Sequence, residues 1–147
     1  MFKNIMVPTD GSPLSRKAAR QAAAMAKAVG ARITAFHVAP AYRYNVYADY
    51  IPPDFEWPKA YAARVKKIAE KHLAAICKIA QDAGVRCESA YATSDFPADA
   101  ILKGAKKHGC DAIAMATHGR SGLSRLFLGS ETMKVLTHSK LPVIVLK

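Results

Sequence analysis

Five short β-compatible runs alternate with stretches of helical periodicity along this chain. That alternation constrains the fold more than any other feature. The runs span residues 2–7 (FKNIMV), 31–38 (ARITAFHV), 85–92 (VRCESAYA), 111–116 (DAIAMA) and 142–146 (PVIVL). Between the first two, Leu14, Ala18, Ala22, Met25 and Val29 recur at helical spacing. Ser12 is placed to cap that helix, Pro13 to occupy its first position and Gly30 to stop it. A long helix precedes the third run, with Tyr61, Val65, Ile68, His72, Ile76 and Ile79 on one face and Gly84 at its end. Residues 97–107 supply another, with Ala98, Ile101, Leu102 and Ala105 inward and Gly109 closing it, and a last helix follows Gly129. Strands separated by helices need crossover connections, so the pattern predicts one doubly wound α/β domain over residues 1–147. Its five-stranded sheet is mainly parallel and covered by helices on both faces. Right-handed crossovers place a ligand crevice at the carboxyl ends of the strands, where their order reverses.

Residues 40–58 (PAYRYNVYADYIPPDFEWP) interrupt this rhythm with tyrosine and proline and no period. They read as an ordered excursion, either packed onto its own domain, the favoured reading, or covering a ligand or partner. No apolar run approaches the roughly 20 residues of a membrane helix, and the opening MFKNIMVPTDG reads as strand and turn rather than a secretory signal. Cys77, Cys87 and Cys110 are odd in number, far apart and free of any C-x-x-C pair. That predicts reduced thiols serving as core filler in a cytoplasmic protein.

Lysine and arginine outnumber acids 22 to 11, giving a net charge of +11 that would attract polyanions. The bases fall in separate clusters, Arg16–Lys17–Arg20, Lys66–Lys67–Lys71 and Lys103–Lys106–Lys107, each opposite an apolar stripe. They read as solvated helix faces, and no nucleic-acid motif or single basic stripe accompanies them.

Two stretches carry candidate chemistry. Asp10, just past the first strand in Pro8-Thr9-Asp10-Gly11, is placed either to meet a ribose hydroxyl or a metal, or to support the turn into the helix as an Asx-turn. The second stretch is ATHGRSGLSRLFLGSET, residues 116–132. It delivers Ala116, Thr117, His118 and Gly119 from the fourth strand, then starts the last helix at Gly129 and Ser130, with Ser130 a natural N-cap and Glu131 in the first turn. Amides at a helix start form an anion site, and glycine lets a phosphate approach the backbone. Gly119 and Gly122 would shape one wall and Gly129 with Ser130 the other, with Arg120 and Arg125 adding charge. Ordinary turn glycines before a capped helix explain the same residues. The stretch lacks both the GK[ST] ending of a P-loop and the G-x-G-x-x-G of a dinucleotide fold. Among the histidines His37, His72, His108, His118 and His138 there is no metal-binding spacing; His118 alone sits in the loop, without a positioned partner that would make it catalytic. With neither a nucleophile elbow nor a Walker-type lysine, the sequence offers no basis for efficient ATP turnover.

The whole chain resembles the universal stress proteins, whose nucleotide-binding branch carries Gly, two residues, Gly, nine residues, Gly, then Ser or Thr. Here the motif runs Ala116-Thr117-His118-Gly119, nine residues (RSGLSRLFL), Gly129-Ser130. VPTDGS, HVAP and the closing LTHSKLPVIVLK also match the family. The resemblance implies a Rossmann-like fold and an ATP pocket. In it Pro8, Thr9 and Asp10 line the ribose and base side, and Val38 lies against adenine. Residues Ala116, Thr117, His118, Gly119, Arg120, Ser121 and Gly122 wrap the ribose and phosphates, while Gly129, Ser130, Glu131 and Thr132 hold the phosphates. Any magnesium would arrive with the ATP phosphates, not through a cluster of protein ligands. One departure stands out: Ala116 replaces the first motif glycine, bringing a methyl group toward the pocket.

The resemblance also implies a nucleotide-responsive homodimer in the stress response. The last run points the same way: Val143, Ile144 and Val145 are apolar, end the chain and suit an edge strand that pairs with a second copy, although a buried central strand in a monomer gives the same apolar run. The rival function is an interaction protein of the same fold that binds no nucleotide and works through its dimer and loop surfaces.

Overall fold

The computed structural model describes residues 1–43, 49–119 and 128–147. Nine elements follow in alternation among those residues: β1 (Asn4–Pro8), α1 (Pro13–Val29), β2 (Arg32–Ala39), α2 (Pro58–Asp82), β3 (Cys87–Thr93), α3 (Pro97–Lys107), β4 (Ala112–Ala116), α4 (Ser130–His138) and β5 (Val143–Leu146). The strands form one sheet in the order β3-β2-β1-β4-β5, and every pairing is parallel. The order reverses between β1 and β4, which puts a crevice at their carboxyl ends.

Each sheet face has its own core. On one, α1 and α2 pack Ala19, Ala22, Ala23, Ala26, Leu73 and Ile76 onto Ile5, Val7 and Ile33. On the other, Ile101 and Ala105 of α3 and Val135 of α4 meet Met6, Phe36, Ile113 and Met115. Ile5, Ile33 and Ile113 are at most 1% exposed, and burying each such side chain is worth about 1.5–3 kcal/mol.

The start of α1 forms as its residues dictate. The Ser12 side chain accepts the Ser15 N–H at 3.1 Å, Pro13 opens the helix, and Gly30 closes it in the left-handed conformation with φ of 70°. Several boundaries differ from the sequence reading. β1 begins at Asn4 rather than Phe2, because the Asp111 carboxylate accepts the Lys3 N–H at 2.8 Å and the Asn4 N–H at 3.1 Å. Val85 is buried but lies outside β3, since its N–H caps α2 by donating to the Ala80 carbonyl at 2.8 Å. The buried stripe of α2 is Val65, Ala69, Leu73, Ile76 and Ala80; it is rotated from the expected face, so that Ile68 is 40% exposed.

The cysteine reading is overturned for two of the three residues. Cys77 on α2 and Cys87 at the start of β3 are joined by a disulfide, their Cα atoms 5.3 Å apart. The helix packs along the edge strand, and that packing, not any local spacing, brings the sulfurs together. The thiol argument for a cytoplasmic setting therefore falls. Cys110 is free and buried, and burial pushes its thiol pKa up.

Residues 40–58 pack back onto α2 where they are described. The Tyr61 hydroxyl donates to the Pro40 carbonyl, and Tyr42 donates to the Glu56 carbonyl at 2.7 Å. Arg64 grips the Glu56 carboxylate with two bonds of 2.8 and 2.9 Å, and these hydrogen bonds hold that carboxyl below its ordinary pKa. Among the described residues no helix is long and apolar enough to cross a membrane.

Candidate functional site

At the end of β1 the chain must turn sharply toward α1. Gly11 makes the turn with φ of 80°, and a side chain there would collide with the His72 ring. The Thr9 hydroxyl accepts the Gly11 N–H at 3.1 Å and meets the Ser15 hydroxyl at 3.0 Å. Asp10 Oδ1 accepts the Ser12 N–H at 2.9 Å, the Asx-turn that is one of the two roles the sequence offers it. Its Oδ2 lies 2.8 Å from where a Cβ on Gly119 would stand, so only glycine at 119 fits without displacing it.

Across the reversal point, β4 ends at Ala116 and α4 begins at Ser130. The two ends are bolted together. The Gly129 N–H donates to the Thr117 carbonyl at 2.8 Å, and the buried Thr132 hydroxyl donates to the Ala116 carbonyl at 3.0 Å. A Cβ on Gly129 would come within 3.3 Å of His118 Cα and of the Thr117 carbonyl oxygen, which explains the glycine by close approach. Gly129, not Ser130, is the N-cap, and it offers no side-chain bond. Ser130 stands one position inside because the bond from the Met133 N–H to the Gly129 carbonyl, 2.9 Å, already closes the first turn. By helix geometry the N–H groups of Ser130, Glu131 and Thr132 then have no intrahelical acceptor. Glu131 reaches sideways, accepting the Ala98 N–H at 2.9 Å and a bond from Lys134 at 3.1 Å.

These pieces enclose a cleft of about 350 Å³, within the usual range for small-molecule sites. Pro8, Thr9, Asp10, Val38, Ala116, His118, Gly119, Gly129, Ser130, Glu131 and Thr132 all line it. Thr117 is buried behind the wall, its N–H donating to the Leu146 carbonyl at 3.1 Å. Arg120, Ser121, Gly122 and Arg125 lie outside the described residues. Phe36, Pro97, Ile101 and Met115 complete an apolar wall that the sequence reading did not include. Their signal was faint, because as inward residues of β2, α3 and β4 they read as core.

Among the described residues one buried polar atom in the cleft is unsatisfied. His118 Nδ1 bonds the Thr117 hydroxyl at 3.0 Å, while His118 Nε2 is buried without a hydrogen-bond partner among the described residues. Ala116 belongs to β4, paired with Leu146. Its backbone is extended, so its glycine-to-alanine difference acts only through the methyl volume. No group of three or more His, Cys, Asp or Glu among the described residues is arranged to hold a metal.

A second cleft of about 840 Å³ lies between α2, the end of β2 and the segments 40–43 and 52–56, lined by His37, Tyr42, Phe55, Tyr61, Arg64 and His72 among others. Asp10 and Val38 line both clefts.

The profile of the universal stress protein family matches residues 1–147. A universal stress protein of Thermus aquaticus is 35% identical over 147 residues, with all of both chains covered. Two solved structures share the fold. One is a universal stress protein in complex with cAMP, with a TM-score of 0.74, 21% identity, and coverage of 99% of this chain and 97% of that one. The other, from Archaeoglobus fulgidus in complex with dAMP, has a TM-score of 0.70, 20% identity, and coverage of 99% and 98%.

Proposed function

The chain belongs to the universal stress protein family, and on that premise we propose that it binds an adenine nucleotide, ATP, in the cleft between the ends of β1 and β4, as a nucleotide-responsive homodimer. The observation that carries the reading is the convergence of Pro8–Asp10, Val38, Ala116, His118, Gly119 and Gly129–Thr132 on one cleft. The residues fit such a ligand. The N–H groups at the start of α4 suit phosphates. The Gly129 and Gly119 cradle is one that a Cβ would fill. His118 Nε2 is a buried polar atom with no partner among the described residues. The two solved relatives complexed with cAMP and dAMP support an adenine nucleotide in this fold.

In this reading the base lies against Val38 within the apolar wall of Phe36, Ile101 and Met115. Asp10 faces the ribose, keeping its turn bond to Ser12, and the phosphates meet the Ser130 and Glu131 amides. Thr132 and Glu131 act by holding β4 and α3 in place, since their side chains are engaged there. Magnesium, when ATP brings it, neutralises phosphate charge.

Calorimetric titration with magnesium ATP tests the proposal, together with mass spectrometry of the gently purified, then denatured, protein for carried nucleotide. Saturable heat that Gly129→Asp abolishes supports it, because that variant sets a carboxylate where the phosphates belong. No heat and no thermal shift up to millimolar nucleotide refutes it and leaves a nucleotide-free interaction protein of the same fold.

A further inference from the structure

We propose that the outward sides of α1 and α2 form one docking face for the phosphate backbone of double-stranded nucleic acid, bound without regard to sequence. In the sequence the bases of these helices fall in separate clusters. The fold merges them, because both helices bury their inner sides in the same core on one face of the sheet. α1 carries four basic and no acidic side chains and α2 six basic and two acidic, so this layer holds +8 of the chain's +11. The opposite layer of α3 and α4, with four basic and two acidic side chains, holds only +2.

The charge is also displayed. Lys17, Arg20, Lys27, Lys67 and Lys71 are exposed, and among the described residues none of the five has a carboxylate within ion-pair distance. Lys17 to Lys27 spans about 15 Å along its helix, and helix axes pack roughly 8–10 Å apart. A duplex presents a phosphate charge about every 1.7 Å of its axis, so several meet such a face together.

Duplex nucleic acid suits this face better than the other polyanions. Stable attachment to a membrane needs an apolar anchor beside the basic patch, and the only large exposed apolar side chain on the two helices is Ile68. Single strands are held by stacking on aromatics, and the rings on the two helices, Tyr61 and His72, are half-buried and each packed against another ring, Tyr42 and His37. What remains is electrostatic contact with a dense, regular row of phosphates.

Fluorescence anisotropy of the intact protein with a short labelled DNA duplex tests this. Binding at low salt should weaken with added salt along a log–log slope of roughly −4 to −5, as five bases each release about 0.9 counterion. Lys17→Glu with Lys71→Glu should weaken binding about tenfold or more, whereas Lys106→Glu with Lys107→Glu, an equal change of net charge on the opposite layer, should change it less than about threefold. Lys27→Glu with Lys67→Glu repeats the first arm should that variant fold poorly. Equal losses in both pairs would show attraction to overall charge and overturn the proposal. So would a slope shallower than about −2, a single strand bound as tightly as the duplex, or anionic phosphatidylserine vesicles displacing the duplex. None of the substituted residues lines the nucleotide cleft, so this test is independent of ATP binding.

Discussion

The Thr132 hydroxyl donates to the Ala116 carbonyl oxygen at 3.0 Å, across a sequence separation of 16 residues. With the bond from the Gly129 N–H to the Thr117 carbonyl at 2.8 Å, it fixes the start of α4 against the end of β4. The end of the cleft at the start of α4 is thus set by bonds within the protein.

Removing the Thr132 bond should cost stability. Thr132 is 3% exposed, and Thr132→Val keeps its shape while withdrawing the donor from a buried carbonyl. The expected loss is about 1–2 kcal/mol in urea unfolding, with Thr132→Ser restoring most of it. A Val variant as stable as the wild type would show that the bond contributes nothing net.

Ala116 offers a test of the cleft's fit. Its extended backbone within the β4–β5 ladder makes no demand for glycine, so only the methyl group matters to a ligand. Ala116→Gly should tighten ATP binding by at most about 1 kcal/mol, roughly fivefold, while costing about 0.5–1 kcal/mol of stability as a strand glycine. Unchanged or weaker affinity in calorimetry would mean that the methyl group is accommodated.

The sequence revealed what local chemistry decides. Ser12, Pro13 and Gly30 specify both ends of α1 through neighbours in the chain, and the bounds of α3 match the run from Pro97 to Lys107. Alternation puts Asp10 and Gly119 just past strand ends, and of the two readings of the last apolar run, edge strand or buried central strand, the sheet order bears out the edge. The Cys77–Cys87 bond was hidden because it depends on how α2 lies along β3. At the start of α4 the sequence favours Ser130 as the cap because Ser is the better capping side chain, whereas Gly129 caps the helix through a close approach to Thr117 that is set across the sheet. Residues 40–58 carry no period, and their anchors, one bond from Tyr42 to Glu56 and two from Arg64 to Glu56, are side-chain contacts that no pattern announces.

The cysteines can be counted chemically. Unfolded without reductant, the protein should expose one thiol to Ellman's reagent, Cys110, and after reduction three. In the folded state Cys110 should react slowly at neutral pH, because burial raises its pKa and leaves little thiolate. Three thiols in the unreduced, unfolded protein would contradict the disulfide.

The last prediction concerns assembly. β5 occupies one edge of the sheet, with β4 as its only strand partner among the described residues. Val143, Ile144, Val145 and Leu146 are each half-buried, so apolar surface and one row of backbone groups stay open on the outer side. Exposed Met133 and Leu136 of α4, the helix that leads into β5, add to the apolar area nearby. An edge like this pairs readily with another chain. Antiparallel pairing of two copies about a two-fold axis would satisfy the free backbone groups of both. Light scattering should therefore find a homodimer, and Val145→Lys should convert it to a monomer by forcing a charge into the seam. Circular dichroism should show that the variant keeps its fold, since Val145 is not fully buried. A monomeric wild type would refute the dimer, and a folded Val145→Lys protein that still dimerises would move the interface off β5.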